Sequence, residues 1–240
     1  MIIVGYSRTF STILTPSLTG TPTIYFQSPQ SEASPKTIAH TASTGHIVIR
    51  IIGRTNSSTA IVPAVTWNGA AMTTVGLTQP NPAASGSCFA YAAVIRGGDT
   101  GAHNISIGRN VSMGRYLVRI DDIADLPVGW AGDDDVARAP SASNTLAVTS
   151  TPGGVSSLLL SMGGVATTND NAHPVTVDGA WTTDSTLNGD YVPDTSMHSR
   201  GCFASAIGGA IGADKTATYT LSGGVTDATF CASIFELKGA

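Results

Sequence analysis

The sequence predicts an all-β protein, an antiparallel β-sandwich. Three observations lead there: the composition disfavours helices, short apolar runs recur at strand spacing, and the two halves of the chain overlay on one another. The 240 residues include 31 Thr, 25 Ser and 27 Gly. Gly and Thr are poor helix formers, whereas Thr, Val and Ile suit a pleated strand. At 42% apolar residues the chain has material for a sizeable core. A chain of this length buries about 70% or more of the surface its unfolded form exposes.

Residues 1–44 are expected to form an N-terminal strand or arm, with Thr21–Gln27 as its strand and a Ser/Pro-rich loop running to Pro35. Strands are then expected near Ile47–Gly53, Ile61–Trp67, Ala71–Val75, Cys88–Ile95, Asn104–Ile107 and Tyr116–Ile120. A second set is expected near Leu158–Ala166, Pro174–Val177, Trp181–Asp184, Cys202–Ile207, Ala217–Leu221 and Phe230–Leu237. Each is a run of β-branched and aromatic residues bounded by Gly, Asn, Asp or Pro, the pattern of a sandwich of short strands.

Overlaying the halves adds a weak internal duplication. At an offset of 110, Gly53 falls on Gly163, Val65-Thr66 on Val175-Thr176, and Asn68-Gly69-Ala70 on Asp178-Gly179-Ala180. Asn-Gly and Asp-Gly are the pairs favoured in a two-residue type I′ hairpin, where both central residues need φ > 0. At an offset of 114, Cys88-Phe89-Ala90 falls on Cys202-Phe203-Ala204, and Ile120 on Ile234. Six strands repeated twice suit a jelly-roll-like double sheet to which each half contributes a Greek key. Half one is then 45–123, half two 144–240, and 124–143 a crossing loop. Two small tandem sandwiches are the alternative, with 124–143 as a linker.

Charge and cysteine narrow the function. Only 12% of residues are charged and the net charge is −4, which points away from nucleic acid as a partner. The balance is +4 over residues 1–123 and −8 over 124–240, suggesting a basic side that could face a negatively charged partner. No signal-peptide pattern opens the sequence and no apolar run approaches the roughly 20 residues of a membrane span. Cys88, Cys202 and Cys231 are an odd number without metal-ligand spacing, so buried free thiols are expected.

Catalytic patterns are missing from the text of the chain. Its two glutamates, Glu32 and Glu236, do not make a carboxylate pair, and no GxSxG, HExxH or GxxxxGK[ST] motif is present. The five histidines share no ligand spacing. Asp121-Asp122, Asp125 and Asp133–Asp135 are dense in acid but lack the calcium-loop pattern, and solvated loop charge is expected. No catalytic residue, cofactor or metal is therefore expected. Candidate contacts for a glycan or a partner are Trp67, Trp181 and Tyr191, which could stack on a sugar, together with Arg109 and Arg115.

The phrases HIVIRIIGR, VTWNGAAMTTVG, CFAYAAVI, GAHNISIG and GRYLVRIDDI recur in the second half as VTVDGAW, CFASAIGG, ATYTLSGG and TFCASIFEL. Over about residues 38–240 that order resembles the Gly/Thr-rich, jelly-roll-like virion structural proteins of tailed bacteriophages and gene-transfer particles. The resemblance implies a non-enzymatic capsid decoration (cement) or head-spike protein, assembled in the host cytoplasm and carried on the virion. Its expected partners are the major capsid protein or another virion protein and further copies of itself. A glycan-binding module for a host surface glycan, on a tail or spike, is the alternative.

Overall fold

The computed structural model describes residues 15–27, 34–55, 59–79, 87–111, 113–126, 129–138, 144–154, 156–167, 174–187, 198–208, 211–222 and 229–238. Among them there are strands and no helix. The first half contains β1 (Ser17–Gln27), β2 (Lys36–Ala42), β3 (Ile47–Thr55), β4 (Pro63–Trp67), β5 (Ala70–Ala71), β6 (Thr73–Thr78), β7 (Cys88–Ile95), β8 (Gly101–Arg109) and β9 (Met113–Ala124). The second contains β10 (Gly129–Arg138), β11 (Thr145–Ser150), β12 (Leu158–Thr167), β13 (Val175–Val177), β14 (Thr182–Leu187), β15 (His198–Ile207), β16 (Lys215–Leu221) and β17 (Thr229–Lys238).

These strands form four antiparallel sheets. In the first half the order is β1-β9-β3-β7-β6 in one sheet and β2-β8-β4-β5 in the other. The second half has β10-β17-β12-β15-β14 and β11-β16-β13. Apart from the two-residue β5, the second half repeats the strand order of the first, element for element.

Burial explains how the sheets stack. Ile47, Ile49 and Ile51 of β3 pack with Ile38, Trp67, Ile105 and Ile107 of the β2-β8-β4 sheet. The alternate residues Val48 and Ile52 pack instead with Leu160, Met162, Phe203 and Phe235 of the second half. A third cluster, with Leu159, Tyr219 and Ile234, lies between the two sheets of the second half. Each half is thus a sandwich with its own core, and the halves meet through their five-stranded sheets. Three apolar clusters hold the four sheets together.

Strand sequences report their layer. A strand buried on both faces needs apolar residues throughout, and β3 (IVIRIIGRT) and β7 (CFAYAAVI) are buried along almost their whole length. A strand with one wet face alternates, as do β2 (KTIAHTA) and β11 (TLAVTS). Each fully buried Ile contributes about 1.5–3 kcal/mol, so the doubly buried β3 is the densest source of stability in the first half. Close approach of the middle sheets is set by small residues: a Cβ on Gly201 would sit 2.8 Å from Ile52 Cδ1, and one on Gly164 would collide with Ile52 Cγ2. Ile52 is seated in the notch that these two glycines leave.

The strand expected at Thr21–Gln27 lies within β1, and the segment also supplies β2; they pair with β9 and β8 and belong to the first sandwich. Two expectations change. Residues 124–143 carry β10, paired along β17, where a crossing loop was expected. β2, β10 and β11 escape the sequence because edge positions tolerate Gly, Pro and charge, and because β2 and β11 bury only alternate side chains. Finally, Asn68 and Gly69 have φ of 46° and 81° and make the expected tight hairpin between β4 and β5. Asp178-Gly179 instead begins a four-residue turn, closed by Trp181 N–H donating to Asp178 O at 3.2 Å. There the chain passes from one sheet to the other, so no hairpin partner follows β13 in its own sheet.

Candidate functional site

Two places concentrate polar chemistry. The first is a cleft of about 520 Å³ between edge strands β1 and β2. It exists because β1 bulges between Thr19 and Thr23. Gly20 makes that bulge possible, with φ of 68° and only 3.0 Å between the site of a Cβ and both Ser43 Oγ and Asp122 Oδ2. His40 of β2 lies behind the bulge and is 3% exposed. Its Nδ1 is 2.8 Å from Thr23 Oγ1 and its Nε2 3.5 Å from Asp122 Oδ1. Asp122 Oδ2 accepts hydrogen bonds from Ser43 N–H at 3.0 Å and Ser43 Oγ at 2.8 Å.

Hydroxyl, imidazole and carboxylate in line have the composition of a hydrolase triad. The histidine–carboxylate distance exceeds the 2.6–3.2 Å reach of a working triad, and the shorter bonds of Asp122 go to the β2–β3 turn. The chain Thr23–His40–Asp122–Ser43 therefore clasps β1 and the turn to β9. His103, the cross-strand partner of His40, opens toward the same cleft, with Trp67 edge-on to both rings at 5.4 and 5.9 Å.

The second half has its own version of the clasp. Glu236, 114 residues after Asp122, accepts from Gly154 N–H at 2.8 Å, Gly153 N–H at 3.1 Å and Ser157 Oγ at 2.5 Å. In both halves an acid on the last strand holds the turn after the second strand.

The other polar centre lies between the halves. Arg50, wholly buried in the middle of β3, reaches across the interface. Its Nη1 donates to Ala204 O at 3.1 Å and Ser161 O at 3.3 Å, and its Nη2 to Asp121 at 2.8 Å and Asp184 at 2.9 Å. Arg119 adds two Nε bonds of 2.9 Å to Asp121 and donates from Nη1 to Asp184 O at 2.7 Å. Ser205 Oγ donates to Asp184 at 2.5 Å. Two arginines and two aspartates cancel in charge, as burial requires. Burial pushes the Asp121 carboxyl up, but the Arg50 charge and the Arg119 hydrogen bonds outweigh it and hold its pKa below the ordinary value. The same ion pairs outweigh burial at Arg50 and raise it. A groove of about 460 Å³ between β1 and β14 borders this network.

The residues singled out from sequence are not brought together into one surface. Trp67 and Trp181 are 0% and 5% exposed and lie in the cores, so neither offers a ring face to a sugar. Their indole N–H groups donate to Asp99 O at 3.0 Å and Thr216 O at 2.8 Å, which makes them corner posts of the two sandwiches. Arg115 is buried, Arg109 is half-buried near the end of β8, and Tyr191 lies outside the described residues. Arg50, Arg54, Arg115 and Arg119 are all buried, so much of the basic excess of residues 1–123 is internal. Asp121 and Asp122, expected in a solvated loop, are buried on β9. Asp133–Asp135 lie on β10, where the side chains are outside the description. Among the described residues no three His, Cys, Asp or Glu side chains gather as a metal-binding group.

The ionic network went unseen in the sequence, although one signal was present. An arginine inside IVIRII has no way to reach water from a strand buried on both faces, so it demands a buried partner. Compared with known proteins, the chain matches no family model and no curated sequence.

Proposed function

We propose that the chain is a non-enzymatic structural protein of a bacteriophage particle, a head decoration (cement) or head-spike protein made of two jelly-roll-like units. The observation that carries this reading is the character of the two outer sheets. Their outward positions are Thr37, Ala39 and Thr41 on β2, Ala64 and Thr66 on β4, and Ala102, Asn104 and Ser106 on β8. On the other side they are Thr145, Ala147 and Thr149 on β11, Thr176 on β13, and Thr216, Thr218 and Thr220 on β16. None is charged. Such a face packs on another protein with little ion desolvation.

Three strands of six residues cover roughly 300 Å², less than the about 800 Å² that each partner of a stable complex buries. Attachment through these faces therefore works best in numbers, as a self-associating protein on a repeating capsid lattice, where avidity supplies what one face lacks. The buried ion pairs and clasps support the same reading, because they spend the molecule's titratable groups on rigidity. The major capsid protein or another virion protein is the proposed partner. The test is to purify particles and look for this chain by mass spectrometry, then to compare particles with and without its gene on heating and in low salt. Its presence, with weaker particles on deletion, supports the proposal; its absence from particles overturns it.

A further inference from the structure

We infer that the cleft between β1 and β2 is a binding site for a neutral sugar, the terminal hexose or N-acetylhexosamine of a glycan. This rests on the cleft alone; because Ala39, Thr41, Ala102 and Asn104 of the outer β2-β8 face line the cleft, attachment to a particle would then go through the β11-β16-β13 face. The volume of about 520 Å³ lies in the range of small-ligand sites, about 300–1,000 Å³. Its lining mixes hydroxyl, amide and imidazole groups with the small apolar side chains of Pro22, Ala39 and Ala102, and holds no Lys or Arg and no large aliphatic side chain. Without a cation in the lining, and with the Asp122 carboxylate behind it, an anionic ligand is disfavoured; the mix of polar and small apolar groups suits the two faces of a sugar ring.

The free hydrogen-bonding capacity is of both kinds, which is what a sugar hydroxyl requires, since it donates and accepts at once. With His40 Nε2–H turned to Asp122, the Thr23 hydroxyl gives its proton to His40 Nδ1 and keeps its lone pairs for a ligand. His103 engages Thr100 O through Nε2 at 3.1 Å, leaving Nδ1 as an acceptor. The exposed Asn104 carboxamide, unpaired among the described residues, offers a donor and an acceptor. The half-buried His103 ring, held edge-on by Trp67 at 88°, supplies a flat wall for the C–H face of a pyranose. In this site Asp122 and His40 are positioning residues: they fix the orientation of the Thr23 oxygen and do not themselves touch the sugar.

The experiment is saturation-transfer difference NMR on the full chain with neutral methyl glycosides of hexoses and N-acetylhexosamines, and with sialyllactose as an anionic comparison. The variants are Asn104→Ala and Thr41→Arg, both at exposed positions where folding is not at stake, with Thr149→Ala on the far sheet as control. The expected result is transfer to at least one neutral glycoside, at least tenfold weaker binding in Asn104→Ala and Thr41→Arg, no change in Thr149→Ala, and no transfer to sialyllactose. The inference is overturned if no neutral glycoside binds the wild type, or if binding persists at wild-type strength in both cleft variants. Neither result bears on whether the chain is found in particles.

Discussion

Substituting Asp121 by Asn removes the carboxylate that both buried arginines share while keeping the shape of the side chain. Arg50 then keeps Asp184 and two carbonyl oxygens, but Arg119 is left with the backbone carbonyl of Asp184 and no carboxylate. Two guanidinium groups are left facing one carboxylate in a site where Arg50 is fully buried and Asp121 is 2% exposed. Breaking a buried pair from one side costs about 3–5 kcal/mol, a large part of the roughly 5–15 kcal/mol that holds a domain folded. Urea unfolding at pH 7, extrapolated to water, measures the difference. The loss also has a pH signature. The folded-state pKa of Asp121 lies below its ordinary 3.8, so its stabilisation is present above that value and is lost as pH falls through the folded pKa. The gap between wild type and Asp121→Asn is therefore full at pH 7 and shrinks in acid below about pH 4. A gap under about 1 kcal/mol at pH 7, or one that stays constant into acid, would refute the view that this network is a charged and tightly coupled joint.

Three further outcomes follow from packing and burial. Gly164→Val drives a side chain into Ile52 and is expected to cost about 1–3 kcal/mol; adding Ile52→Ala should make the pair less damaging than the sum of the single changes, and strict additivity would contradict the seating of Ile52 in that notch. Glu236→Gln weakens the charge-assisted bonds to Gly153, Gly154 and Ser157, so the Gly153 and Gly154 amides should exchange with deuterium about tenfold faster while the core of β3 is unchanged. Burial and the Asp184 charge push the Cys202 thiol up to about 12, and Cys88 and Cys231 are buried too, so a disulfide reagent at pH 8 should label all three only after denaturation. Rapid labelling of one thiol in the native protein would count against the packing around it.

Much of the layer plan was legible in the pattern of the strands. The unbroken apolar runs of β3 and β7 are those buried on both faces, and the repeated offsets correspond to repeated strand order. The 114-residue offset extends further than the apolar identities, because Asp122 and Glu236 occupy it and hold equivalent turns with different acids. The edge strands β2, β10 and β11 were not legible. β2 and β11 bury only alternate side chains, among them Ile38, Leu146 and Val148, and the three aspartates in the β10 sequence read as loop charge. The cleft was equally hidden, because it depends on a bulge at Gly20 and on His40 meeting an acid 82 residues away.

By itself the sequence determined that this chain is all-β and which of its strands carry unbroken apolar runs. Those follow from local preference and periodicity, which any short window of residues carries. The tertiary structure alone decided that the described strands form four sheets, that Trp67 and Trp181 are posts and not platforms, and that Arg50, Arg54, Arg115 and Arg119 are buried. The physical reason is distance along the chain. Arg50 and Asp184 are separated by 134 residues, and their interaction exists only where the two halves of the chain meet.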